Sequence, residues 1–233
     1  MDKNFRVRLI VGLSMFIIAL IALYTFDSIP FKIIYILSSV VATAELLSFF
    51  KRKFGATNVF LVIFEILFLI GSSIFVIRAD LSHFWYVILG VCGYDIFAYL
   101  FGKLCGGKIF KKSRPFPRIS KNKTWEGTFL GLTTAVSLCA IVMTIRGTFA
   151  TDWIYLFCGP LALMGDLYES YLKRKFNIKD SNEIVIKYGV FKKLELLVGG
   201  SEGHGGFLDR IDSTAFATTI LLIIILIVAA QNV

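Results

Sequence analysis

The sequence predicts an all-α, polytopic membrane protein of about seven transmembrane helices, with the N-terminus cytoplasmic and the C-terminus outside. Three observations predict it. Of the 233 residues 57% are hydrophobic and only 18% charged, where a soluble domain carries about a quarter charged residues. The apolar residues come in unbroken runs long enough to cross a bilayer as helices, without the alternation of β-barrel strands. Lastly, 22 of the 25 Lys and Arg residues fall in segments that share one side of the membrane once seven spans are drawn.

The seven apolar segments cover about 9–25, 31–50, 58–77, 82–101, 127–146, 151–167 and 214–230. Each approaches the roughly twenty residues a helix needs to cross the hydrocarbon. The first follows Lys3, Arg6 and Arg8, as a signal peptide would. No small-residue cleavage site follows at Tyr24-Thr25-Phe26-Asp27, so it reads as a retained span. The second contains Glu45 close to its inner end, beside Lys51 and Arg52, where it can pair. The third holds Glu65 in mid-span, readable either as a packing pair or as a site residue. In the fourth, Asp95, Tyr99 and Gly102 recur at i, i+4 and i+7 on one helical face, either a packing stripe or a wet groove. That face runs into a loop rich in glycine and lysine. The sixth segment is the shortest, and it ends at Asp166.

With the N-terminus inside, only Lys32, Arg78 and Arg146 lie at the outer ends. The two long basic loops, about 102–126 and 168–213, are then cytoplasmic. The net charge of +9 follows from this bias and needs no nucleic-acid partner. Cys92, Cys105, Cys139 and Cys158 lie in or beside apolar runs without metal-type spacing and read as packing residues. No internal repeat or linker divides the chain, which reads as one integral-membrane domain, 1–233.

The chemistry gathers in the loops. The first ends Pro117-Arg118-Ile119-Ser120-Lys121-Asn122-Lys123-Thr124-Trp125-Glu126-Gly127. Trp125 suits the headgroup level, and the bases there can meet anionic lipid or a substrate phosphate. In the second, Asp166, Glu169 and Lys173 fall at i, i+3 and i+7, on one face of a helix continuing out of the sixth segment. Ser170 and Arg174 lie on the neighbouring face. Ion pairing on an interfacial helix would account for most of this. It would not account for a carboxylate at Asp166, where the apolar stretch ends, unless that group meets a cation. Then Gly203-His204-Gly205-Gly206 offers backbone N–H groups to an anion, and Asp209 and Asp212 follow at i, i+3. Hard carboxylate oxygens so placed suit Mg²⁺, which shares its coordination shell with waters and phosphates.

These residues resemble the signature of the phosphatidate cytidylyltransferases, or CDP-diacylglycerol synthases. The resemblance is carried by Ser170-Tyr171-Leu172-Lys173-Arg174, by Lys179-Asp180, and by His204 through Asp212 with its Asp209-Arg210-Ile211-Asp212. Gly165-Asp166-Leu167-Tyr168-Glu169, Asp95 to Gly102, and Ile119-Ser120 with Lys123 to Gly127 fit as well. It implies transfer of a cytidylyl group from CTP to phosphatidic acid, at the cytoplasmic face of a bacterial inner membrane, with Mg²⁺ as cofactor. It implies catalytic roles for Lys173, Arg174 and Asp209. Substrate binding would fall to Asp95, Lys123, Ser170, Lys179, Asp180, His204, Gly205, Gly206 and Arg210, and metal binding to Asp166, Asp209 and Asp212. Membrane lipid and a second copy of the chain are the partners implied. Two features depart from the pattern: 23 residues separate Asp180 from His204, where the family has a shorter connection, and Glu202-Gly203 stands in place of Pro-Gly. A CTP-dependent lipid-alcohol kinase would need a similar site, and a transporter would place its charges mid-span instead.

Overall fold

The computed structural model describes residues 28–49, 55–111, 114–178 and 208–231. Among them every regular element is helical: α1 Ser28–Ser48, α2 Ala56–Arg78, α3 Leu81–Leu104, α4 Trp125–Arg146, α5 Phe149–Asp152, a 3₁₀ turn Trp153–Phe157, α6 Cys158–Lys175 and α7 Leu208–Gln231. α1, α2, α3, α4 and α7 are long and apolar enough to cross a membrane. They match the second to fifth and the seventh segments of the sequence, so this is an all-helical integral membrane protein. The first segment, 9–25, lies outside the described residues.

The sixth segment is helical in three consecutive pieces, α5, the 3₁₀ turn and α6. Pro160 accounts for the break. It has no N–H to continue the ladder from the preceding turn, yet its ring is accepted in the first turn of the helix that starts at Cys158. The Cys158 amide meanwhile closes the 3₁₀ turn on the Tyr155 carbonyl.

The chain groups into two compact units, Met1–Phe31 with Ala79–Leu163, and Lys32–Arg78 with Met164–Val233. In the first, α3 and α4 pack through small residues. A Cβ added at Gly131 would lie 2.7 Å from the Ala98 Cβ, and one at Gly127 would lie 2.6 Å from the Ala98 carbonyl oxygen and 2.8 Å from the Gly102 Cα. Gly127 and Gly131 on α4 thus face Ala98 and Gly102 on α3, each pair one turn apart. In lipid, helices gain little from leaving an equally apolar solvent. Close backbone approach is then what holds them together. α4 starts where the Thr124 side chain accepts the Gly127 amide at 3.1 Å, and it stops at Gly147, whose φ of 69° lies in the left-handed region that favours glycine.

The second unit uses hydroxyls as well as apolar packing. Ser72 on α2 bonds with the Tyr35 hydroxyl and accepts from Thr218 of α7 at 2.9 Å, while Thr219 donates to the Phe68 carbonyl at 2.7 Å. Phe68 also stacks on Phe216 with ring centres 4.5 Å apart, and the Tyr168 hydroxyl donates to the Leu61 carbonyl at 3.0 Å. Ala42, Leu46, Phe49, Leu172, Phe176 and Leu208 belong to one buried cluster at the end of the unit that carries the α6 charges. The outward residues, among them Ile34 and Leu37 of α1 and Ile70 and Ile77 of α2, are apolar and exposed, as lipid-facing positions should be.

Candidate active site

The second unit brings the two acidic motifs together at a glycine. A Cβ at Gly165 of α6 would lie 2.8 Å from the Phe216 Cβ, 3.0 Å from the Ser213 Cα and 3.1 Å from the Asp212 carbonyl oxygen, all on α7. Only a residue without a side chain lets the two backbones meet this closely. Asp166 follows directly, half-buried. α7 starts at Leu208, six residues before the apolar segment proper, so Asp209 and Asp212 stand on its opening turns rather than in a loop.

The contact between the motifs is made by Lys173. Its Nζ lies 2.5 Å from Glu169 Oε2 on its own helix and 3.0 Å from Asp209 Oδ1 on α7. The side chains of Lys173 and Asp209 keep only 13% and 15% of their surface exposed, and that of Glu169 1%. The other Glu169 oxygen, Oε1, is buried and has no hydrogen-bond partner among the described residues. Burial, and then the Asp209 carboxyl, push the Glu169 carboxyl well above the usual carboxylate range, against the pull of Lys173. Asp212 acts on Glu169 in the same direction. Burial alone would lower the Lys173 ammonium, but Glu169 and Asp209 outweigh it and hold it above its ordinary value. The result is a cation held at the junction of α6 and α7, with one edge open.

The other residues proposed from sequence fall as follows. Ser170 is half-buried on α6, Asp212 is buried and Arg210 exposed. Arg174 is exposed, and its Nη1 donates to the Ile178 carbonyl at 3.3 Å, closing the end of α6. In the first unit, Lys123 Nζ donates to the Tyr94 hydroxyl at 3.3 Å and lies over that ring, 5.4 Å from its centre. Asp95, the next residue of α3, is exposed. Lys179, Asp180, His204, Gly205 and Gly206 lie outside the described residues, as does the insertion 181–203.

Three glutamates outside the proposed site residues are buried and make specific contacts. Glu169 stands in the contact itself; its i, i+4 spacing to Lys173 was the available signal. Glu126 is buried, and its Oε1 accepts the amides of Ile109 and Phe110 at 3.0 Å each, which shapes the glycine-rich loop after α3. Glu45 accepts the Leu208 amide at 3.0 Å. Nothing in the sequence links residues 163 positions apart.

Among the described residues no three His, Cys, Asp or Glu side chains converge as a ready-made metal cluster. The donor chemistry still fits magnesium. Carboxylate oxygens from α6 and α7 meet at one junction, and the buried Glu169 Oε1 is a hard oxygen donor with no hydrogen-bond partner among the described residues. The Lys173 ammonium bridges Glu169 and Asp209.

A cytidylyltransferase family profile matches residues 59–189. The chain is similar to a phosphatidate cytidylyltransferase of Rickettsia conorii, with 30% identity over 203 residues that cover 81% of this chain and 79% of the relative. It is similar to one of Rickettsia felis at 30% over 237 residues, covering 95% and 92% of the two chains. It is also similar to one of Helicobacter pylori at 38% over 127 residues, covering 53% and 41%. No solved structure matches. With more than half its length inside the family profile and its α6–α7 motifs joined at one buried lysine, this chain belongs to the cytidylyltransferase family, alongside the bacterial phosphatidate cytidylyltransferases.

Proposed function

We propose that the protein transfers a cytidylyl group from CTP to phosphatidate, giving CDP-diacylglycerol and pyrophosphate for phospholipid synthesis. The observation that carries this reading is the Lys173 ammonium shared by Glu169 and Asp209, in a chain of this family. A phosphate oxygen of the lipid attacks the α-phosphorus of CTP. A new P–O bond forms as the bond to the β-phosphate oxygen breaks, and pyrophosphate carries the electron pair away. The lipid phosphate is already a nucleophile, so no side chain needs to become one. Both reactants are anions, and the protein's task is to align and neutralise them.

Lys173 suits this task because its charge is fixed by two carboxylates and one edge of the pair stays open. Its ammonium steadies phosphate oxygens as negative charge shifts toward the leaving group. Glu169 and Asp209 orient it. Neutralising the triphosphate charge is what magnesium supplies when bound, and Asp166, Asp209, Asp212 and Glu169 are the residues that would hold it. The resemblance would also give His204 to Gly206 and Arg210 to the triphosphate, and Lys123 and Asp95 to substrate binding.

The direct test incubates the purified protein in detergent with phosphatidic acid, Mg²⁺ and α-labelled CTP. Labelled CDP-lipid is expected; folded protein that yields none sinks the proposal. Free CDP with a phosphorylated lipid would instead identify a lipid-alcohol kinase.

The distribution of Lys and Arg supports a site on the cytoplasmic face of a bacterial inner membrane. A single cysteine introduced within 181–200 is then expected to resist an impermeant thiol reagent in intact cells and to react once the cells are opened. Labelling of intact cells would reverse the orientation.

A further inference from the structure

Glu45 lies on α1, far in sequence from every motif that the proposed reaction uses, yet its side chain is 1% exposed and makes a specific contact with the site's framework. Its Oε2 accepts the backbone N–H of Leu208 at 3.0 Å. Leu208 is the first residue of α7. The amides of a helix's first turn have no acceptor within the helix, and each needs one from elsewhere. Here the acceptor comes from another helix. The bond is also enclosed: Leu208 is fully buried, in one apolar cluster with Ala42, Leu46 and Phe49 of the Glu45 segment and Leu172 and Phe176 of the α6 segment. Water has little access to replace the carboxylate there, so losing it leaves the amide unpaired in a dry place.

The next residue after this cap is Asp209, whose Oδ1 meets Lys173 at 3.0 Å. Asp212 follows one turn later. Asp209 is in the first turn of α7, so a first turn that frays for want of this acceptor frees the Asp209 backbone and lets its carboxyl leave Lys173.

Resting on the function proposed above, we propose that Glu45 is a positioning residue: by capping Leu208 it fixes the first turn of α7 and so sets Asp209 against Lys173. The alternative is that Glu45 only stabilises the bundle. The two differ in what they require of the side chain. Positioning requires an acceptor at the reach of a glutamate, whatever its charge. Gln supplies that acceptor, whereas Asp keeps the charge but withdraws it by one methylene.

The full-length protein should therefore be prepared with Glu45→Gln, Glu45→Asp and Glu45→Ala and assayed for CDP-diacylglycerol formation per folded molecule. Glu45→Ala and Glu45→Asp are expected to lose kcat by about a hundredfold, the scale of an ångström-sized misplacement, with KM for CTP little changed. Glu45→Gln is expected to keep most of the wild-type kcat. Hydrogen exchange, measured without substrate or metal, should quicken over residues 208–212 in the Asp and Ala variants while the rest of α7 stays protected. The proposal is overturned if Asp restores kcat better than Gln, if Glu45→Ala keeps wild-type kcat, or if exchange over 208–212 is unchanged in Glu45→Ala. It is equally overturned if every loss of activity is accounted for by loss of folded protein. Should the wild type form no CDP-diacylglycerol, the proposed function falls, while the exchange measurement still decides the cap.

Discussion

Replacing Lys173 with methionine is expected to lower kcat for cytidylyl transfer by about a hundredfold to a thousandfold, the scale at which a single preorganised charge acts on a transition state. The same change should destabilise the protein. Among the described residues Glu169 Oε1 already lacks a hydrogen-bond partner, and without Lys173 the Oε2 atom loses its ammonium too. Breaking one side of a buried ion pair costs about 3–5 kcal/mol. Burial already pushes Glu169 toward its neutral form, so the lower end of that range is expected. Adding Glu169→Gln to Lys173→Met should then recover much of the thermal stability in detergent without recovering turnover. Asp209→Ala, which leaves Lys173 its partner on α6, should abolish turnover with little change in expression. Wild-type turnover in Lys173→Met would remove this lysine from the chemistry. A double variant no more stable than the single one would show that the Glu169 carboxyl was never the liability.

The second large effect is expected at Gly165, which bears no chemistry. In Gly165→Val the new Cβ would stand 2.8 Å from the Phe216 Cβ and about as close to the α7 backbone at Asp212 and Ser213. None of these is the free end of a flexible side chain, so the helices must separate. Overpacking of this kind costs about 1–3 kcal/mol. Because Asp209 and Lys173 sit on the two helices that move apart, activity should fall about a hundredfold even where the protein still folds. Gly55→Ala is the control, since a Cβ there meets only the Asn58 Nδ2 at 4.0 Å. Comparable losses from both substitutions would show that the α6–α7 approach has no special part.

The two glycine motifs illustrate what a sequence shows and what it hides. Gly165 and Gly127 stand beside acidic and aromatic residues of the two motifs, and spacing alone gives them no role. In the structure both serve close backbone contact, Gly165 with α7 and Gly127 with α3. The distinction turns on which helix lies opposite, and no local pattern carries that. Asp95, Tyr99 and Gly102 are a similar case. Their shared face was legible from spacing, while the contact of Gly102 with Thr124 and Gly127 came from the way α3 and α4 cross.

The acids divide along the same line. Lys173 with Glu169 at its own helical spacing was readable, because i and i+4 positions meet on any helix. Asp209 as the second partner was not, since it depends on the crossing at Gly165. Glu45 was legible as an acid near Lys51 and Arg52, which lie outside the described residues; that it also accepts the Leu208 amide was not.

By itself, then, the sequence determined the class of protein, five of the spans to within a few residues, the helix that carries Asp166 to Lys173, and the motifs of its family. Those features rest on short-range rules. A bilayer demands some twenty apolar residues per span and internal pairing of every backbone group, and a helix brings together residues three and four apart. Tertiary structure alone decided the union of Lys173 with Asp209 and the cap supplied by Glu45. Each of these depends on which surfaces of separate helices touch. In lipid that choice is made by small residues and a few buried hydrogen bonds rather than by apolar pattern, because every helix face is apolar enough to remain in the membrane.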